Sequence, residues 1–151
     1  MKGIYKLSLA LFGLLLVIPA VLSAKPQPPQ AHPAYLHALS DLRDARAHLQ
    51  RPDGGPLHDQ EKKAIHEIDD AIGEIKKASI DDGKDINEHL PVDSHMAWPG
   101  RLHRALELID KAHQDISREE DNAFAQGLQQ RAILHIDKAH HHVEEAIQLV
   151  Q

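Results

Sequence analysis

Beyond residue 33, apolar residues recur at the three-and-four spacing of amphipathic helices, in four segments separated by turn-forming or polar stretches. The first covers about residues 34–50 and places Tyr35, Leu39, Leu42 and Leu49 on one stripe. The second covers 58–79, where Ile65, Ile68, Ile72 and Ile75 follow the spacing of a coiled-coil-like seam. The third, 99–118, opens at Pro99, whose missing amide is harmless at a first helical position, and carries Leu102, Leu106, Ile109 and Ile116. The fourth, 122–150, takes Asp121 or Asn122 as its cap and Ile133, Ile136, Val143, Ile147 and Val150 as its stripe. Short turns at 51–56 and 118–121 join the helices in pairs, and a long connector, 79–98, joins the two pairs.

The four segments are variants of one pattern. Residues 104–116 (RALELIDKAHQDI) align without a gap on 131–143 (RAILHIDKAHHHV), and seven of the thirteen positions are identical. Residues 63–75 (KAIHEIDDAIGEI) follow the same template, and 37–49 (HALSDLRDARAHL) follow it more loosely. Each helix thus offers a Leu/Ile edge and an Ala edge to a common centre, which predicts an all-α four-helix bundle. The short turns make two antiparallel hairpins. An up-down-up-down order is expected, with the connector crossing one end of the bundle or running along its side.

Ahead of the helices, Lys2 and Lys6 precede an apolar stretch from 7 to 21, and the small residues Ser23 and Ala24 follow. This is the composition of a cleavable secretory signal over residues 1–24. The apolar run is shorter than the ~20 residues that span a bilayer and contains Gly13 and Pro19, so a retained signal anchor is the weaker reading. Residues 25–33 hold Pro26, Pro28, Pro29 and Pro33 and form an extended lead-in without core residues. The expected location is the periplasm or the medium, with no stable membrane anchor after cleavage.

Charge and composition narrow the function. Residues 1–24 contain two lysines and no acid, so cleavage takes the formal charge from −6 to −8. An acidic chain is a poor partner for nucleic acid, which is bound through a positive face. Cysteine is absent, which excludes disulfides, thiolate zinc sites, covalent haem attachment and cysteine nucleophiles. Ser40, Ser79, Ser94 and Ser117 have no elbow or base motif near them, and no Gly-rich loop follows a strand, so an enzyme is not expected.

What stands out is histidine, with 13 in 151 residues. In helix four, Asp137, His141 and Glu145 stack along one face at i, i+4, i+8. His103 with Glu107 and His37 with Asp41 repeat half of that row. Folding the hairpins in the expected order brings His37, His103, His140, His141 and His142 toward one end, which the connector with His89 and His95 also passes. Imidazole with carboxylate suits Cu, Zn and Ni. The candidate metal ligands are therefore His37, His103, His140, His141, Asp137, Glu145 and His95, weighed against an ordinary solvated face of paired charges. His113 and His140 fall on the apolar stripe and are expected as hydrogen-bonded interior or boundary histidines, and His48, His58 and His66 as surface residues. His95, Met96 and Trp98 can together hold Cu(I), although Met96 and Trp98 are better read as closing the open end of the core. A non-covalent haem between His113 and His140 is not expected, because a tight hairpin sets them at different levels.

The run 138–147 (KAHHHVEEAI) resembles the heptad repeats of small periplasmic histidine-rich metal-binding proteins. The resemblance covers helix four and, through Lys111-Ala112-His113, part of helix three; helices one and two carry Arg46 and Ile72 where the repeat has histidine. It implies a four-helix bundle and loose binding of Cu, Ni or Zn for storage or protection. The alternative is a non-enzymatic helical scaffold of the cell envelope, or a protein that binds an envelope partner, with surface histidines and no specific metal. Export predicts a mature N-terminus near Lys25 in an envelope or culture fraction; mass spectrometry that finds Met1 intact on a membrane-bound chain contradicts it.

Overall fold

The computed structural model describes residues 33–50, 58–78, 83–93, 95–118 and 123–151. They form four helices: α1 (Pro33–Leu49), α2 (Asp59–Ala78), α3 (Trp98–Ile116) and α4 (Ala123–Leu149). These are the expected segments, shifted by a residue or two at their ends. α3 begins at Trp98, one residue early, with Pro99 inside its first turn. The signal segment, most of the Pro-rich lead-in, the 51–56 turn, Ser79 and the cap sought at Asp121 or Asn122 lie outside the described residues. No helix among the described residues is long and apolar enough to cross a membrane.

The stripes read from the sequence build one core. Leu39, Leu42, Leu49, Ile68, Ile75, Leu102, Ile109, Ile116, Ile136 and Val143 are fully buried, and Ile65, Leu106, Ile133 and Val150 pack at its margin. Alanines run beside this seam at seven-residue intervals: Ala38 and Ala45, Ala64 and Ala71, Ala105 and Ala112, then Ala132, Ala139 and Ala146, all buried. A methyl side chain lets two helix axes approach closely, so the alanine edges decide which helices pair.

The flanking residues show which edges meet. A residue three places after an alanine sits beside it on the helix surface. Glu67 and His135, three places after Ala64 and Ala132, meet at 2.6 Å, and Gln60 meets His142, three places after Ala139, at 2.9 Å. The alanine edge of α2 therefore faces that of α4. On the other side, His48 and Leu108, three places after Ala45 and Ala105, line one cavity, which sets α1 against α3. These two pairs are the most extensively packed; the sequence-adjacent pairs α3/α4 and α1/α2 touch over less surface, and α1/α4 and α2/α3 are diagonals.

Helix ends fix the directions. The last carbonyls of α1, which have no partner within the helix, accept from Arg101 near the start of α3: Nε reaches His48 O at 3.1 Å, and Nη2 reaches Ala47 O at 3.0 Å and Gln50 O at 2.6 Å. At the opposite end His37 lies 4.0 Å from Asp115, so α1 and α3 are antiparallel. Glu61 is buried at the start of α2, accepting from the His58 amide as half of a capping box and from the Trp98 indole at 3.2 Å. The starts of α2 and α3 therefore share one end. Gln129 of α4 donates to Ile116 O and Arg118 O at the end of α3, which makes α3 and α4 antiparallel as well. The four-helix bundle is the expected one, but its order is up-down-down-up, with α2 and α3 running the same way, where the sequence suggested up-down-up-down.

This order requires the connector to travel the length of the bundle. Lys76 Nζ donates to Lys84 O, Arg46 Nη1 to Asn87 Oδ1, and the Leu90 amide to Asp44 Oδ1, so the strand of chain climbs along α1 and passes over the α1/α3 groove. Of the two routes open to it, it runs along the side. The alanine edges give the first structural prediction. Ala139→Leu forces α2 and α4 apart and lowers stability by about 1–3 kcal/mol, whereas Gly73→Ala, which adds a methyl where nothing lies within 4 Å, raises it by about 0.5–1 kcal/mol. Urea midpoints of the two variants check the opposite signs.

Candidate metal centre

The tight α2/α4 contact brings together Glu67, Asp70 and His135, whose ligating atoms all lie within 4.8 Å of one another. It is the only group of at least three His, Asp or Glu this close among the described residues. Glu67 and Asp70 are i, i+3 neighbours on α2, and His135 reaches across from α4. Its Nδ1 stands 2.6 Å from Glu67 Oε2 and 3.9 Å from Asp70 Oδ2. Glu67 and His135 are mostly sheltered, with side-chain exposures of 16% and 22%. Two further groups border the site: His66 Nε2 is 3.6 Å from Asp70, and Lys138 Nζ is 3.7 Å from Glu67. Burial pushes the Glu67 carboxyl up, but the hydrogen bond from His135 and the charges of Lys138, His135 and His66 outweigh it and hold the pKa below the ordinary value.

A second His/Asp arrangement lies in the α3/α4 groove. His113 Nε2 faces Asp137 Oδ1 at 3.3 Å, and His140 Nε2 faces Asp110 Oδ1 at 3.3 Å. Ile109 and Ile136 join the four in lining a cavity of about 300 Å³. His113 and His140 are thus the boundary histidines that their stripe position suggested.

The seven residues selected from the sequence do not converge on one point. His37 and His103 lie at opposite ends of the bundle, because α3 runs antiparallel to α1; the shared end inferred for them depended on the alternating order. The Nδ1–H of His103 donates to Pro99 O at 2.8 Å, and His48 and His58 belong to the same end as His103. His141 stays on the outer face of α4, 3.4 Å from Glu145, which also meets His142 at 3.5 Å. Asp137 and His140 enter the α3/α4 groove with different partners. His95 is exposed in the connector, with its amide on Asp93. Trp98 packs against the core and carries the Arg101 guanidinium over its ring at 5.8 Å, as a residue that closes the bundle end. His48, expected at the surface, is half-buried beneath the connector, and burial with Arg101 and Arg104 nearby lowers its pKa.

No family model, curated protein or solved structure matches the chain. Chemistry and geometry are then the basis for reading the site. Glu67, Asp70 and His135 were missed in the sequence because their pairing is between helices. His135 has no acid four places along, yet it occupies the same repeat position as Glu67, the fifth, and equivalent positions meet where two alanine edges face.

The electrostatics of Glu67 give a prediction with a definite sign. Its folded-state pKa lies below the unfolded one, so its contribution to stability is present above the ordinary glutamate value of about 4.3 and is lost as pH falls through the folded-state value. Glu67→Gln should therefore flatten the loss of urea stability between about pH 6 and pH 3. An unchanged slope contradicts this account of the carboxylate.

Proposed function

We propose that the protein is an exported helical bundle that binds divalent transition-metal ions of the Cu, Zn and Ni class along α4, for storage or protection. The observation that supports this best is the convergence of Glu67, Asp70 and His135 in the α2/α4 contact. One imidazole and two carboxylates form a mixed donor set favoured by borderline ions, whereas Mg and Ca prefer oxygen alone. Three protein donors leave positions for water or for His66, the pattern of an open, exchangeable site. The formal charge of −6 on the whole chain adds a general attraction for cations. Relative to the sequence expectation, the centre of the proposal moves from one end of the bundle to the flanks of α4. Export rests on the composition of residues 1–24.

Binding to the folded state raises stability by RT ln(1 + [L]/Kd), about 2.7 kcal/mol at a free metal concentration about 100 times Kd. Donors bind metal only after losing their protons, so the gain shrinks toward about pH 5. With Zn(II), Cu(II) and Ni(II) offered in turn at neutral pH, at least one should raise the melting temperature and be retained in equilibrium dialysis. His135→Ala and Asp70→Asn should each reduce retention by about one equivalent. If both variants retain as much metal as wild type, the Glu67/Asp70/His135 site fails; if no metal is retained and none raises the melting temperature, the metal reading fails and the helical scaffold or partner-binding protein becomes the better description.

A further inference from the structure

The internal repeat gives the α3/α4 groove a counterpart between α1 and α2, on the opposite side of the bundle. The motif Asp-Lys-Ala-His occurs at 110–113 and again at 137–140, and antiparallel packing crosses the two copies, so that each histidine meets the aspartate of the other helix. In the repeat alignment, His113 and His140 correspond to Arg46, and Asp110 and Asp137 correspond to Asp69. Arg46 and Asp69 occupy the equivalent place between α1 and α2, joined at 2.7 Å. One hairpin therefore fills this position with a permanent cation. The other presents an imidazole in the cation's place.

The surroundings of the two imidazoles leave that position open to a cation. In each ring Nε2 faces the aspartate, while Nδ1 faces the residue four places along: Ser117 Oγ at 3.4 Å for His113 and Glu144 Oε2 at 3.5 Å for His140. A carboxylate only accepts, so His140 stands between two acceptors, Asp110 and Glu144, while Ser117, which can donate or accept, lets His113 present either form of Nε2 to Asp137. A proton on Nε2 satisfies this contact as a hydrogen bond to the aspartate; once that proton is lost, Nε2 and the aspartate oxygen are two donors to a metal ion placed between them. Their 3.3 Å separation in both pairs is also the spacing of two donors bound at about 2.0–2.1 Å to one tetrahedral ion, about 3.3 Å. The ~300 Å³ cavity leaves room for ions and their water.

We infer that the α3/α4 groove is a second metal site, in which each crossed pair, His113 with Asp137 and His140 with Asp110, holds one divalent transition-metal ion where the α1/α2 hairpin holds a guanidinium. This deepens the metal-binding reading above but uses none of the Glu67/Asp70/His135 donors. Zn(II) is the ion that tests it, titrated into the wild-type chain while the imidazole ¹⁵N resonances are followed. Expected is a coordination shift of Nε2 in both His113 and His140, with two Zn equivalents assigned to the groove. His113→Arg with His140→Arg, which copies the Arg46–Asp69 pair, should keep the fold and metal-free stability while losing those two equivalents. If His135 responds and the groove histidines do not, the second site is refuted and the first stands; if the groove histidines alone respond, the second stands without the first. A response of neither, or Zn retention unchanged in the double arginine variant, overturns the groove proposal.

Discussion

The approach of α2 to α4 and of α1 to α3 across alanine edges is the constraint from which the rest follows. Alanine at every seventh place gives each helix one side that can lie close to a neighbour, and pairing two such sides leaves the longer Leu and Ile residues to fill the centre. The pairs so formed are distant in sequence, with the short hairpin contacts secondary. Once α1 pairs with α3 in antiparallel fashion, α3 must start at the end where α1 stops, and the connector has to run back along the bundle. Arg101, Glu61 and Gln129 then satisfy helix ends that this arrangement buries.

The same constraint sorts the histidines. Repeat positions three after an alanine meet across the tight pairs, which produces Glu67 against His135, and Gln60, one heptad before Glu67, meets His142 in the same way. Positions one after and two before an alanine meet across the hairpins, which produces Arg46 against Asp69 and the two crossed His/Asp pairs. The two proposed sites thus fall on the two flanks of α4, from one pattern read twice. The carboxylates at these contacts face arginine in one place, Asp69 with Arg46, and imidazole in the others, Glu67 with His135 and the two crossed aspartates with His113 and His140.

Fold and core were largely legible in the sequence, because burial imposes a period on the chain: Leu39, Ile68, Ile109 and Ile136 declare their stripe within a single turn of helix. The direction of the second hairpin was not, since a connector of some twenty residues reaches either end of the bundle. That ambiguity carried into the site. Pairs spaced i, i+4, such as His141 with Glu145, are visible in one helix and remain surface pairs, whereas Glu67 with His135 becomes visible only when the helices that share an interface are known. The repeated Asp-Lys-Ala-His was in plain view as a likeness between helices; its crossed pairing needed their antiparallel contact.

The helix order is the claim on which the α2/α4 site stands, and it is open to direct distance measurement because the chain has no cysteine of its own. Spin labels on cysteines introduced at the exposed positions Lys77 and Ser117 mark the ends of α2 and α3, and a second pair at His58 and Ser117 marks the start of α2 against the end of α3. With α2 and α3 running the same way, pulsed electron paramagnetic resonance should find the Lys77–Ser117 distance shorter than the His58–Ser117 distance, the latter including the length of a helix, about 28 Å for the 19 residues of α3. The reverse ranking would mean an alternating bundle, in which α2 and α4 lie on a diagonal and neither Glu67 nor Asp70 can share an ion with His135.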